Sequence, residues 1–326
     1  MSAITTLPPY GLLPNRFTAT PLADLEPPRD YKSTPTPDQP LLRKDKNDFV
    51  DEFANDVKDR YWPIWDQPNR CWIGKSKAWM VAFTEADLDM LLPLRFTLRN
   101  FITLDGSNLA KTHSDCFELE NALDPPAPEF NFGAFKFYAP DLDSRWQALF
   151  PSLFSEALDN KVGPLTIHWK SIFQRPRPYQ TAVLLNRLQV SHRIAPSAQH
   201  PSLVSGHCMQ GVFGGLGVHL LWRNKTTPDL RYAPHVQAAL EQYSTDFGDR
   251  RVLAGVHYPS DSLISWLACD RLIDKVVEPS EAAEARKFLG ACIRRSRVWA
   301  EVITHKPFNF DAYNELVKEV EQISKL

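Results

Sequence analysis

Nowhere in this chain does an apolar run approach the roughly eighteen residues that a membrane-crossing helix requires. The longest candidate, Gly211 to Trp222, is shorter and contains His219. The opening stretch, MSAITTLPPYGLLPNRF, has neither the basic start nor the continuous apolar core of a secretory signal, so a soluble, cytoplasmic protein is expected. Cysteine is scarce: Cys71, Cys116, Cys208, Cys269 and Cys292 are scattered, odd in number and without metal-ligand spacing. That excludes a disulfide or zinc framework and fits reduced thiols. Excess charge of either sign is also missing, since the formal net charge is -2, so nothing draws the whole molecule toward nucleic acid or anionic lipid. Positive charge is local instead, in Lys170, Arg175, Arg177, Arg250 and Arg251. No internal repeat is present, and nothing in the chain specifies an oligomeric state.

Alternating β-branched runs are few, so the fold is expected to be all-α. With 43% hydrophobic and 23% charged residues the chain can build a substantial core. Residues 1–41 hold nine prolines and almost no apolar period, which predicts an extended arm. Residues 42–143 read as an N-terminal helical and loop region forming a cap. A helix follows Leu42 with Phe49, Phe53 and Val57 on one face, and a second begins with Thr84 as N-cap. The segment 105–140 reads as a long loop beside the active site. Residues 144–326 read as a helical catalytic core, with helices over 144–158, 164–174, 205–222, 233–247, 259–276, 280–305 and 310–325. Glycines 211, 214, 215 and 217 would let neighbouring helices come close.

Three segments of that core carry the chemistry. KSIFQRPRP supplies Lys170, Arg177 and Pro178; VSGH supplies Ser205, Gly206 and His207; RRVLAGVHYPSD supplies Arg251, His257 and Asp261. In this order they resemble the signature of the type 2 phosphatidic-acid phosphatase superfamily, which includes soluble acid phosphatases and vanadium haloperoxidases. The resemblance spans about residues 161 to 275, departs from the pattern at Val204 and Arg250, and implies a helical bundle of the acid phosphatase/vanadium haloperoxidase type.

Phosphoryl transfer needs fixed positive charge and donors around the equatorial oxygens of the transition state. Lys170, Arg177 and Arg251 supply the charge; Ser205, as N-cap of the following helix, and the Gly206 amide sit where a helix start favours an anion. His257 is the expected nucleophile, oriented by Asp261 one turn on, and His207 the acid that protonates the leaving group. Arg175 either joins the anion site, as the Arg-x-Arg-Pro string of acid phosphatases suggests, or is a surface charge. His200 is a further candidate contact to substrate. Asp246 and Asp249 are expected to pair with neighbouring arginines.

The expected activity is a metal-independent phosphatase for a small phosphomonoester or diphosphate, with a phosphohistidine intermediate and no cofactor. Two alternatives stand beside it. The same cage could hold vanadate on His257 for haloperoxidase chemistry, although a thiol at Cys208 is an awkward neighbour for an oxidant. A non-catalytic anion-binding protein is the other, resting on Val204 and Arg250.

Overall fold

Phe49, Phe53 and Val57 return to one face every turn, and α1 (Asp48–Arg60) buries that face. The computed structural model describes residues 48–104, 135, 138–140, 159–185, 187, 200–225, 234–306 and 308–326, with only the backbone at a few helical positions. The expected arm, the expected helix over 144–158 and most of the 105–140 segment lie outside them. Phe53 of α1 packs at 4.8 Å from Trp169, on α3 (Asp159–Phe173). The Trp169 indole also donates to the Val50 carbonyl at 3.1 Å, so α1 braces the helix that carries Lys170.

A hairpin of β1 (Ile64–Asp66) and β2 (Cys71–Ile73) follows α1, with Trp65 opposite Trp72. Strands of three residues are too short to show an alternating pattern, and the indole contact at 5.0 Å supplies what the ladder lacks. Then comes α2 (Lys77–Leu104), which starts about two turns before the expected Thr84. Its cap is Ser76, whose hydroxyl accepts from the Trp79 amide at 3.2 Å, while Thr84 is buried inside the helix.

The rest is α4 (Pro178–Leu184), α5 (Gly206–Lys225), α6 (Pro234–Leu253), α7 (Pro259–Val276), α8 (Ala282–Arg295), α9 (Arg297–His305) and α10 (Asp311–Ser324). The expected single helix over 280–305 is broken at Ser296, which is extended and caps α9 by accepting from the Trp299 amide at 3.0 Å. Asp249 reinforces the break. It accepts from the Ser296 hydroxyl at 2.8 Å and the Arg297 amide at 2.7 Å, so its partner is a helix start and not the guanidinium of a neighbouring arginine.

Nearly every side chain of α5 is buried, as expected for a central helix, and its broadest contact is with α6. Glycine makes that contact close. A Cβ at Gly211 would collide with the Ser244 carbonyl and the Phe247 Cβ, and one at Gly215 with the Ser244 side chain. On the other helix, a Cβ at Gly248 would meet the Cα of Cys208 at 2.9 Å. The close approach sets the start of α5, with Ser205 to His207, beside the end of α6, with Arg251. Gly211→Ala should therefore destabilise the fold by about 1–3 kcal/mol or more, as overpacking does. A thermal melt of the variant should show a lowered midpoint, and an unchanged one would contradict the close packing.

Candidate active site

The spacing between Arg251 and His257 has a local cause. α6 ends in a Schellman cap: the Val256 amide donates to the Arg251 carbonyl at 3.1 Å, the Gly255 amide to the Val252 carbonyl at 2.9 Å, and Gly255 takes a positive φ of 76°. The chain reverses there, and His257 follows directly. Pro259 then starts α7, and Asp261 in its first turn reaches back to the Tyr258 amide at 3.0 Å. The same oxygen, Oδ2, lies 3.0 Å from Nδ1 of His257.

The other nitrogen of His257, Nε2, lies 3.0 Å from Nη1 of Arg177. A guanidinium has donors only, so this contact requires a lone pair on Nε2 and puts the ring proton on Nδ1, donated to Asp261. Arg177 is itself fixed by Nε to the His200 carbonyl at 2.8 Å and by Nη1 to the Val256 carbonyl at 2.6 Å. His200 thus contributes its backbone carbonyl to the site through Arg177. Lys170 donates to the carbonyls of Pro201 and Ser202 at 2.6 and 2.9 Å, which uses two of its three donors.

The Ser205 hydroxyl accepts from the Cys208 amide at 3.4 Å, so Ser205 caps α5. The Ser205 amide in turn donates to Ser265 of α7 at 3.0 Å, and Ser265 donates to the Asp261 carbonyl at 2.6 Å. The start of α5 and the first turn of α7 are one hydrogen-bonded unit. Gly206 lies against α3, where a Cβ would press on the Thr166 hydroxyl at 3.3 Å. His207 is partly buried with its ring 5.3 Å from that of Phe247, and no described residue hydrogen-bonds it.

Arg175 is not a surface charge. It is fully buried, donates to Asp261 Oδ1 at 2.8 Å and to Asp87 Oδ2 at 2.6 Å, and lies over the rings of Trp62 and Tyr258 at 4.4 and 4.0 Å. The partner Asp87 was not singled out from the sequence. Its signal was there: α2 places Phe83, Asp87 and Leu91 on one stripe, and a carboxylate on an apolar stripe demands a buried partner. Of the two departures from the signature, Val204 is packed in the core, and Arg250 donates to the Tyr138 hydroxyl at 2.6 Å. Neither takes an atom from the site.

Burial, then the charge of Arg177, pushes the Lys170 ammonium well below its ordinary range. Burial and Arg177 likewise hold His257 well below 6.5, and burial with Arg251 does the same to His207. Burial alone would raise Asp261, but Arg175 and His257 keep it below the usual carboxylate range. A bound oxyanion would reverse the field on Lys170 and both histidines. Inorganic phosphate should therefore bind with proton uptake and bind more tightly as pH falls toward the lowered values. Titration calorimetry in buffers of different ionisation enthalpy checks this, and proton release on binding would contradict it.

Among the described residues no helix is long and apolar enough to cross a membrane. No curated protein and no solved structure matches the chain. The model of one family, the PAP2 superfamily, does match, over residues 148–271. That region contains every residue of the three segments, from Lys170 to Asp261, and the helical fold agrees with it. Over residues 148–271 the chain is therefore similar to the PAP2 superfamily.

Proposed function

We propose that this protein hydrolyses a small phosphomonoester or diphosphate through a phosphohistidine at His257. The observation that supports this most directly is the orientation of the imidazole, with a buried lone pair on Nε2 and the Nδ1 proton held by Asp261. Nε2 attacks phosphorus, a nitrogen–phosphorus bond forms and the bond to the leaving oxygen breaks. For that attack Nη1 of Arg177 leaves Nε2 for an equatorial oxygen, which frees the lone pair. Lys170, Arg251, the Ser205 hydroxyl and the Gly206 amide are the other donors, and they supply the positive charge the reaction needs without a metal. His207 protonates the leaving oxygen, later takes a proton from the attacking water, and inorganic phosphate departs as the nitrogen–phosphorus bond breaks. Burial lowers its proton affinity, and the negative charge of the bound substrate restores it.

A second reading has one observation in its favour. Cys208 is buried against the Ser262 carbonyl, so its thiol is no obstacle to an oxidising reaction. The same donors and Nε2 of His257 fit vanadate, which when bound would supply a Lewis-acidic centre for halide oxidation by hydrogen peroxide. Purified protein should be assayed on p-nitrophenyl phosphate, and separately on halide with peroxide after vanadate loading. Phosphate release supports the first reading. Halide oxidation without phosphatase turnover replaces it, and phosphate binding with neither activity points to an anion-binding protein.

A further inference from the structure

Behind the nucleophile runs a buried chain of charge: Asp87, Arg175, Asp261, His257. Each of the three ionic groups behind the histidine is fully buried. Asp261 divides its oxygens, with Oδ2 taking the His257 ring and the Tyr258 amide while Oδ1 takes Arg175. Arg175 divides its nitrogens in turn, with Nη1 on Asp261 and Nη2 on Asp87. Asp87 is held by the Ser260 amide at 3.0 Å and by the Tyr313 hydroxyl at 2.9 Å. Asp87 is on α2 and Tyr313 on α10, both outside residues 148–271.

A buried arginine stays protonated, so Arg175 must have a counter-charge. If Asp261 were its only partner, the two would neutralise each other and little negative charge would face the imidazole. Burial pushes Asp87 up, but its two oxygens accept from Arg175, the Ser260 amide and hydroxyl and the Tyr313 hydroxyl, which calls for a carboxylate; two carboxylates then flank one guanidinium and the cluster keeps a net negative charge. That surplus lies where it is useful, because a phosphorylated imidazole that keeps its Nδ1 proton is a cation. Other groups acting on His257 are unfavourable to that cation: Lys170 from α3, Arg177 ahead of α4 and His207 from α5. A staple between α2 and α7 would not need the arginine, since Asp87 already bonds the Ser260 amide and hydroxyl directly.

We propose that Asp87 is a positioning residue for the nucleophile, acting through Arg175 to leave the charge of Asp261 available to His257. This rests on the reading of His257 as the nucleophile. The helices outside the family region then have a part in the reaction that the three-segment signature does not contain.

Asp87→Asn in the full chain tests it. With the carboxylate gone, Arg175 adds positive field at His257, so kcat on p-nitrophenyl phosphate should fall roughly ten- to hundredfold with KM little changed. The acid limb of kcat/KM, which reports His257, should move to lower pH. A variant that had merely loosened would admit water and move the limb the other way, toward 6.5. An unchanged kcat, or a limb that stays or climbs, overturns the proposal. Should the single variant not fold, Asp87→Asn with Arg175→Met removes one charge of each sign and strands no buried ion. There the limb should lie above that of the wild type, and a limb at or below it overturns the proposal. Trapping the phosphoenzyme in the wild type separates the two levels. No acid-labile phosphoenzyme sinks the nucleophile reading and this inference with it, whereas a trapped one with unaltered Asp87→Asn kinetics sinks the inference alone.

Discussion

His257→Ala should abolish phosphatase turnover, lowering kcat by at least about four orders of magnitude, as loss of a covalent nucleophile does elsewhere. The loss should be complete at the level of the intermediate. Wild-type protein quenched during turnover of labelled substrate should carry phosphate that is lost in acid and kept in base, and the alanine variant should carry none. Phosphate should still bind the variant, because Lys170, Arg177 and Arg251 are untouched and Lys170 and Arg177 are anchored on backbone carbonyls of the 200–202 turn and Val256. Arg177 loses only its contact to Nε2. Turnover near the wild-type rate would remove His257 from the mechanism, whatever its place in the signature.

Asp261→Asn should cost about 10³–10⁴ in kcat, comparable to the Asp→Asn change in a Ser-His-Asp triad. The carboxylate accepts from three donors at once: His257 Nδ1, the Tyr258 amide and Arg175 Nη1. A carboxamide has one acceptor oxygen and presents N–H groups on the other side, so one of these donors must face a donor. The Nδ1 proton is then no longer assured and Nε2 can lose its lone pair to the other tautomer. The charge that compensates a phosphorylated imidazole also disappears. Rapid-quench measurement of a single turnover should show slow phosphorylation with weakly altered substrate binding. Normal phosphorylation in a correctly folded Asp261→Asn protein would mean that His257 needs no carboxylate behind it.

The parts of this molecule that could be read in one dimension are those with local causes. The α1 face follows from Phe49, Phe53 and Val57 at helical spacing, and α7 follows from Pro259 with Asp261 in its first turn. The cap role of Ser205 needs only its hydroxyl and the amide three residues on. Local patterns also have blind spots. Thr84 looks like a cap because hydroxyls favour that place, yet Ser76 starts the helix, and Phe83 and Asp87 beyond it are inward-facing residues. The apolar period over 280–305 runs through Ser296 without a visible break. The break depends on Asp249, 47 residues earlier, whose carboxylate gives α9 a separate start.

Sequence by itself determined the helical class and the resemblance of residues 148–271 to one superfamily, because those depend on residue type and short spacing. It could not decide where Arg175 points. Surface charge and anion ligand were both compatible with its position beside Arg177, and neither describes it. Only the tertiary structure brings Asp87 from α2 and Tyr313 from α10 to within bonding distance of one another behind α7. Partners more than eighty residues apart leave no spacing to read, and a buried ion's counter-charge is chosen by packing. The same packing, through Gly211 and Gly248, closes α5 on α6 and sets the second of the three strings beside the start of the third.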